Sequence, residues 1–438
     1  MTEIKRDLYL QKLIDRKENG EIKVITGIRR CGKSYLLFNL YYNYLLQNGV
    51  DKDCIICIAL DSPEWEDMLN IQMLNEYIKS KIVPEKINYV FLDEVQFVDG
   101  FAKLLNGLNR YSNLDIYVTG SNSKFLSTDI LTEFRGRGDE VRVYPLNYAE
   151  FVSAFEGSKE EAWKNYYTYG GLPQILARKK DELKAKYLRD LFSKVYLADI
   201  VERNSLRGDV VMDTLVNILA SSVGSLTNPS KLANTFASKD IKVSDKTIGA
   251  YIDYLQDAFL VNKAERYDIK GRKYIASPFK YYFTDVGLRN ARLNFRQQEE
   301  NHIMENIIYN ELLVRDFNVD VGVVEYRTKN AEGKQEKVNL EVDFVCNKGS
   351  QRFYIQSAFS IPDREKMKQE QNSLVRINDS FKKIIVVKDD IKPWYNEEGI
   401  LVMGLQQFLL QPESMLYNSI TRKGKQCTFS VIGCVLKR

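Results

Sequence analysis

The first 150 or so residues alternate short apolar runs with longer amphipathic stretches, the pattern of a parallel sheet covered by helices. The runs predict strands at 21–26, 54–60, 88–92, 114–119 and 140–144, and the amphipathic stretches predict helices at 33–47, 64–82, 100–111 and 122–130. Ser62-Pro63 reads as an N-cap and a first-turn proline that open the second of these helices. After Pro145 the period becomes helical over 147–260, with a break at Gly170-Gly171-Leu172-Pro173. Segment 230–285 orders a helix at 230–238, a turn, a helix at 245–260, and strands near 261–267 and 273–276 about the turn Lys270-Gly271-Arg272. That order predicts a winged helix. A third unit follows: a helix at 302–315, strands near 321–328, 338–346 and 352–358, a helix near 362–378 and a strand at 383–387. The expected division is 1–150, 151–295, 296–412 and a basic tail, 413–438, with no assigned role.

The candidate chemistry sits where the first strand meets the first helix, at Gly27-Ile28-Arg29-Arg30-Cys31-Gly32-Lys33-Ser34, followed by Tyr35. Gly-x4-Gly-Lys-Ser between a strand and a helix is a Walker A loop. Its glycines let backbone N–H groups turn inward around a phosphate, and the helix N-terminus adds unsatisfied donors and the positive dipole end. Lys33 is expected to reach the β- and γ-phosphates of ATP, and the Ser34 hydroxyl to ligate Mg2+.

A buried strand ending in acids completes such a site. Tyr89-Val90-Phe91-Leu92-Asp93-Glu94 supplies them, Asp93 for the magnesium shell and Glu94 to polarise the attacking water. The next apolar strand ends at Thr119-Gly120-Ser121-Asn122, which nominates Ser121, then Asn122, as a γ-phosphate sensor or the N-cap of the next helix. Phe134-Arg135-Gly136-Arg137-Gly138 offers Arg137, ahead of Arg135, as a guanidinium acting in trans, against the alternative of surface arginines in a glycine turn. A trans arginine implies a homo-oligomer.

Composition narrows the field. With 44% hydrophobic residues, 12% aromatic and only nine prolines in 438 residues, the chain has the makings of two or three folded domains. A net charge of +4 does not by itself argue for nucleic acid. No apolar run is long enough to cross a bilayer and the charged N-terminus lacks an apolar h-region, so a cytoplasmic protein without membrane contact is expected. Cys54-Ile55-Ile56-Cys57 lies in an apolar strand without a second pair, so no zinc site is expected there. The single histidine, His302, leaves no material for histidine triads or polyhistidine metal sites.

Together these stretches resemble the AAA+ ATPases of bacteria and archaea that pair an ATP-binding core with an uncharacterised C-terminal domain. The resemblance is carried by GIRRCGKSYLL (27–37), YVFLDEVQ (89–96), IYVTGSNS (116–123), FRGRGDEVRVYPLNYAEF (134–151) and YYTYGGLP (166–173). It continues in KYYFTDVGL (280–288), ENIIYNELL (305–313) and EVDFV (341–345), so that it covers about 1–410. It implies an α/β P-loop NTPase core of AAA+ type, a helical and winged-helix region, and a C-terminal α/β restriction-endonuclease-like domain.

A nuclease of that fold needs an acid on the first helix, an Asp at a strand end, and acid-x-Lys on the next strand. Glu305 and Asp343 fill the first two places, but Gln356 replaces the second acid and Ala358 the lysine. An amide oxygen can still ligate a metal, whereas an alanine cannot position water, so a fold without cleavage activity is expected. The helix at 245–260 carries Asp245, Asp253 and Asp257 beside Lys246, a poor face for phosphates, although the hairpin turn is basic. A protein partner or interdomain packing is therefore expected over sequence-specific DNA, with non-specific DNA contact left open. The expected function is magnesium-dependent ATP hydrolysis whose nucleotide state controls the C-terminal half. The alternative is a nucleotide-gated scaffold with little turnover. An ATP-coupled nuclease and a GTPase, for which no Asn-Lys-x-Asp motif exists, are disfavoured.

Overall fold

A computed structural model of the chain describes residues 4–120, 134, 136–206, 210–296, 299–329 and 334–417. The first five strands are β1 (Ile22–Thr26), β2 (Ile55–Ala59), β3 (Asn88–Asp93), β4 (Leu114–Thr119) and β5 (Gly138–Arg142). They form one parallel sheet in the order β2-β3-β4-β1-β5, with β1 between β4 and β5. β1, β3 and β4 are buried at every position, as strands covered on both faces must be. Successive side chains alternate between the two covers. Tyr89, Phe91 and Tyr117 pack on the face that holds Leu36, Leu37 and Tyr41, while Val90, Leu92, Ile116 and Val118 pack with Leu74, Ile78 and Leu105 on the other.

Three sequence expectations shift. The strand expected at 140–144 lies at Gly138–Arg142, because its ladder begins where Gly138 pairs with Ile22. The helix expected at 64–82 is a 3-10 segment, Pro63–Leu69, followed by the helix Ile71–Lys81. Asn70, not Ser62, is the side-chain cap, its Oδ1 accepting from the N–H groups of Gln72 (3.0 Å) and Met73 (3.1 Å). The helix after Lys33 runs on to Gln47 but widens to π geometry over Leu36–Tyr41. The helix expected at 122–130 lies outside the described residues.

Helices follow at Tyr148–Ala154 and Lys159–Tyr169, each opened by a capping box (Asn147 with Glu150, Ser158 with Glu161). The helices Pro229–Ala237 and Asp245–Asp257 and the hairpin β6 (Val261–Asp268) and β7 (Lys273–Phe283) appear in the expected order. The hairpin is not a free wing. β6 pairs in parallel with β8 (Asn318–Lys329), through Arg266–Val321 to Asp268–Val323. The sheet then continues through β9 (Gln335–Lys348), β10 (Gln351–Ala358), β11 (Lys382–Val387), β13 (Leu401–Gly404) and β12 (Trp394–Tyr395), eight strands in all.

The two halves are joined by a buried knot. Asp285, at the N-cap of the helix Val286–Arg292, accepts from Leu288 N (3.0 Å) and from Gly171 N (2.8 Å), while Gly171 O accepts from Leu146 N (2.8 Å). Burial pushes the Asp285 carboxyl up to about 6, although these N–H groups oppose the shift. Asn290 Nδ2 donates to Tyr167 O (2.8 Å) and Thr168 O (3.0 Å). Backbones touch here: a Cβ on Gly287 would lie 2.0 Å from Tyr169 O. Gly287→Ala should therefore lose about 1–3 kcal/mol or more, read as a lowered Tm. Gly107→Ala, in a helix where the added Cβ meets nothing within 4 Å, should hold or raise Tm; equal behaviour of the two would contradict the packing described.

Candidate functional site

β1 delivers the phosphate loop at its C-terminal end. Gly27 takes φ +140°, and a Cβ there would sit 2.1 Å from Val143 O, so no other residue fits. Arg30 and Gly32 also lie at positive φ, +64° and +102°, which folds the loop back upon itself before the helix starts at Lys33. Lys33 is 4% exposed, and its ammonium donates to Gly27 O (3.0 Å) and Ile28 O (3.3 Å). Among the described residues no carboxylate pairs with it. A buried cation held only by carbonyls at a helix N-terminus is the charge pattern that suits an anionic phosphate chain.

The acid edge meets the loop. Thr119 Oγ1 donates to Asp93 Oδ1, and the Ser34 hydroxyl lies near enough to the same carboxylate to favour its charged form. Burial raises the Asp93 carboxyl above the ordinary range, and the Thr119 and Ser34 hydroxyls partly offset this. A serine hydroxyl beside a buried carboxylate is an all-oxygen donor set, the kind a hard divalent cation takes. Thr119 Oγ1 also accepts from Glu94 N at 3.0 Å. Glu94, at φ +52°, turns out of the strand and accepts a bond from Gln96 Nε2.

The predicted loop residues Gly27 to Tyr35, with Asp93 and Glu94, are thus brought together. Ser121, Asn122 and Arg135 lie outside the described residues. Arg137 is exposed beside the start of β5, its carbonyl accepting from Ile22 N (2.8 Å). Ile22 begins β1 and Thr26 ends it, so Arg137 lies roughly 13 Å from its own phosphate loop along the strand.

Sequence reading missed Thr119, Arg6 and Tyr196. Arg6 is 3% exposed and donates to Cys31 O (2.9 Å), Tyr144 O (2.7 Å) and Glu150 Oε1 (3.0 Å). It ties the loop to the segment after β5. The Tyr196 hydroxyl donates to Arg29 O (2.7 Å), and Arg29 pairs with Asp199 at 3.3 Å, so the helical region touches the loop directly.

In the C-terminal sheet, Glu305 and Asp343 do converge, and Lys280 of β7 joins them. Its ammonium lies 2.9 Å from Glu305, 2.7 Å from Glu341 and 3.8 Å from Asp343. The Tyr282 hydroxyl donates to Glu305 (2.7 Å) and Ser357 N to Asp343 (2.8 Å). Gln356, one residue beyond the Ile355–Phe344 pair, keeps its Oε1 buried without a partner among the described residues. Burial would lower the Lys280 pKa, but Glu305, Asp343 and Glu341 together hold it above the ordinary lysine value. Burial and the Glu305 charge raise the Asp343 carboxyl. The ammonium occupies the middle of the carboxylates. Lys280→Ala strands those charges and should cost about 3–5 kcal/mol, seen as a lowered Tm that Mn2+ partly restores; an unchanged Tm would contradict the ion pairing.

Comparison with known proteins agrees with the core. An AAA domain is matched over residues 19–152 and a domain of unknown function over 160–299. An uncharacterised protein of Haemophilus influenzae is 35% identical over 418 residues, 93% of this chain and 99% of the relative. One from Methanocaldococcus jannaschii is 30% identical over 380 residues, 84% of this chain and 80% of the relative. Among solved structures, a Walker-type ATPase of Pyrococcus abyssi aligns with a TM-score of 0.48 at 17% identity, over 66% of this chain and 96% of that one. Among the described residues no helix is long and apolar enough to cross a membrane. The chain belongs to the family of these H. influenzae and M. jannaschii proteins, and its N-terminal part is an AAA-type P-loop domain.

Proposed function

We propose that the protein binds ATP with Mg2+ at the loop Gly27–Ser34 and hydrolyses it. The observation that supports this most is the meeting of three strand ends: the buried Lys33 after β1, Asp93 at the end of β3, and Thr119 at the end of β4. In this reading Lys33 holds the phosphates, Ser34 and Asp93 hold the cation, and Glu94 takes the proton of the attacking water. Bound Mg2+ would neutralise phosphate charge. Thr119 fixes Asp93 and the Glu94 backbone.

The nucleotide state reaches the C-terminal half through two contacts, Tyr196 and Asp199 on Arg29, and the Asp285 knot behind the Gly170–Pro173 turn. Exposed Arg137, at the far end of its own sheet, suits a role only at a neighbouring copy's site, which makes ATP-dependent homo-oligomerisation part of the proposal. In the C-terminal sheet the Lys280 ammonium pairs with the carboxylates that a nuclease would give to metals, which favours a non-cleaving domain.

Lys33→Ala should weaken ATP binding about tenfold or more. Glu94→Gln should bind normally and lose turnover by about 100-fold or more; equal loss of binding in both variants contradicts these roles. Purified protein with DNA and Mg2+ or Mn2+ should leave the DNA intact, and cleavage that Asp343→Ala abolishes would overturn the non-cleaving reading.

A further inference from the structure

We propose that Gln96 orients the attacking water together with Glu94, which makes it a positioning residue of the hydrolytic site. The inference rests on the hydrolysis reading and adds a residue to it. After Glu94 the chain makes one 3-10 turn, Val95–Phe97, closed by Phe97 N to Glu94 O (3.2 Å) and Val98 N to Val95 O (3.0 Å). Val95 and Val98 are buried in the core under the sheet, so the turn is anchored. Gln96, between them, comes round beside Glu94 and its Nε2 donates to Glu94 Oε2.

That bond fixes the amide, since only the nitrogen side can face a carboxylate. The other end, Oε1, is buried and has no partner among the described residues. A buried acceptor left so is unfavourable, and a donor arriving with the substrate removes that penalty. A water has two protons: one donated to Glu94 and one to Gln96 Oε1 leave its lone pair free to attack. The water oxygen then bonds to the terminal phosphorus as the bond from phosphorus to the bridging oxygen breaks. The electron pair leaves on the diphosphate and the water's proton passes to Glu94. Glutamine meets both demands, a donor to the acid and an acceptor for the water. Glutamate would set two carboxylates together, and asparagine is shorter by one methylene.

The test uses the full-length chain with ATP and Mg2+. Gln96→Met keeps the bulk and loses both hydrogen bonds, so kcat should fall about tenfold or more while the calorimetric Kd for ATP stays within about twofold. In a Glu94→Gln background, adding Gln96→Met should cost nothing further in single-turnover rate, because both residues act on one water. A merely structural role would instead lower the rate by the same factor in both backgrounds. Such additivity, or an unaltered kcat in Gln96→Met, overturns the inference while leaving hydrolysis intact. A parent chain that binds ATP and never turns it over removes the hydrolysis reading and this inference together.

Discussion

Two contacts of Asp93, the hydrogen bond from Thr119 and the closeness of the Ser34 hydroxyl, tie three strand ends into one edge, and the rest of the candidate site depends on them. They exist because the sheet runs β3-β4-β1, which sets the end of β4 between the acid strand and the phosphate loop. Thr119 is fully buried there, and its one hydroxyl serves the Asp93 carboxylate and the Glu94 N–H at once. With Glu94 in a left-handed conformation, its side chain leaves the strand direction and meets the turn that carries Gln96.

A phosphate loop responds to its ligand only as far as its surroundings allow. Here Arg6 grips the Cys31 carbonyl, Val143 O closes on Gly27, and Tyr196 holds the Arg29 carbonyl. The loop is thereby supported from the N-terminal segment, from the chain after β5 and from the helical region. The turn Gly170–Pro173 lies against it as well, since a Cβ on Gly32 would come within 3.9 Å of Pro173 Cγ. Behind that turn stands Asp285, two residues past the end of β7, the strand that carries Lys280. A chain of packed and hydrogen-bonded groups therefore runs from the phosphate loop to the C-terminal sheet, which is the physical connection a two-state device needs.

Much of this was legible in the sequence because the signals are contiguous. The loop Gly27–Ser34 and the acids Asp93-Glu94 carry their chemistry within a few residues, and the strands that position them are continuous apolar runs. What escaped was long in range. Arg6 meets Tyr144 across 138 positions, and no local pattern distinguishes it from other arginines. Lys280 is one cation in a strand whose last four residues are all buried, so no alternation in the sequence marks it as facing inward. Thr119 ends an apolar run with a small hydroxyl, and only the strand order reveals that it faces Asp93. Asn70 divides an amphipathic stretch that reads as one helix, because a cap inside a periodic pattern does not disturb the period. The hairpin β6–β7 was read correctly as local structure, but its partner β8 lies some fifty residues on, beyond the reach of local patterning.

On this reading the edge of the sheet that brings Lys33, Asp93 and Thr119 together holds a nucleotide. Calorimetric titration of the intact chain with ATP, with Mg2+ present, tests it most directly. One ATP per chain, with affinity reduced when the Mg2+ is chelated, is the predicted result. No association with either ATP or GTP would contradict the account at its root.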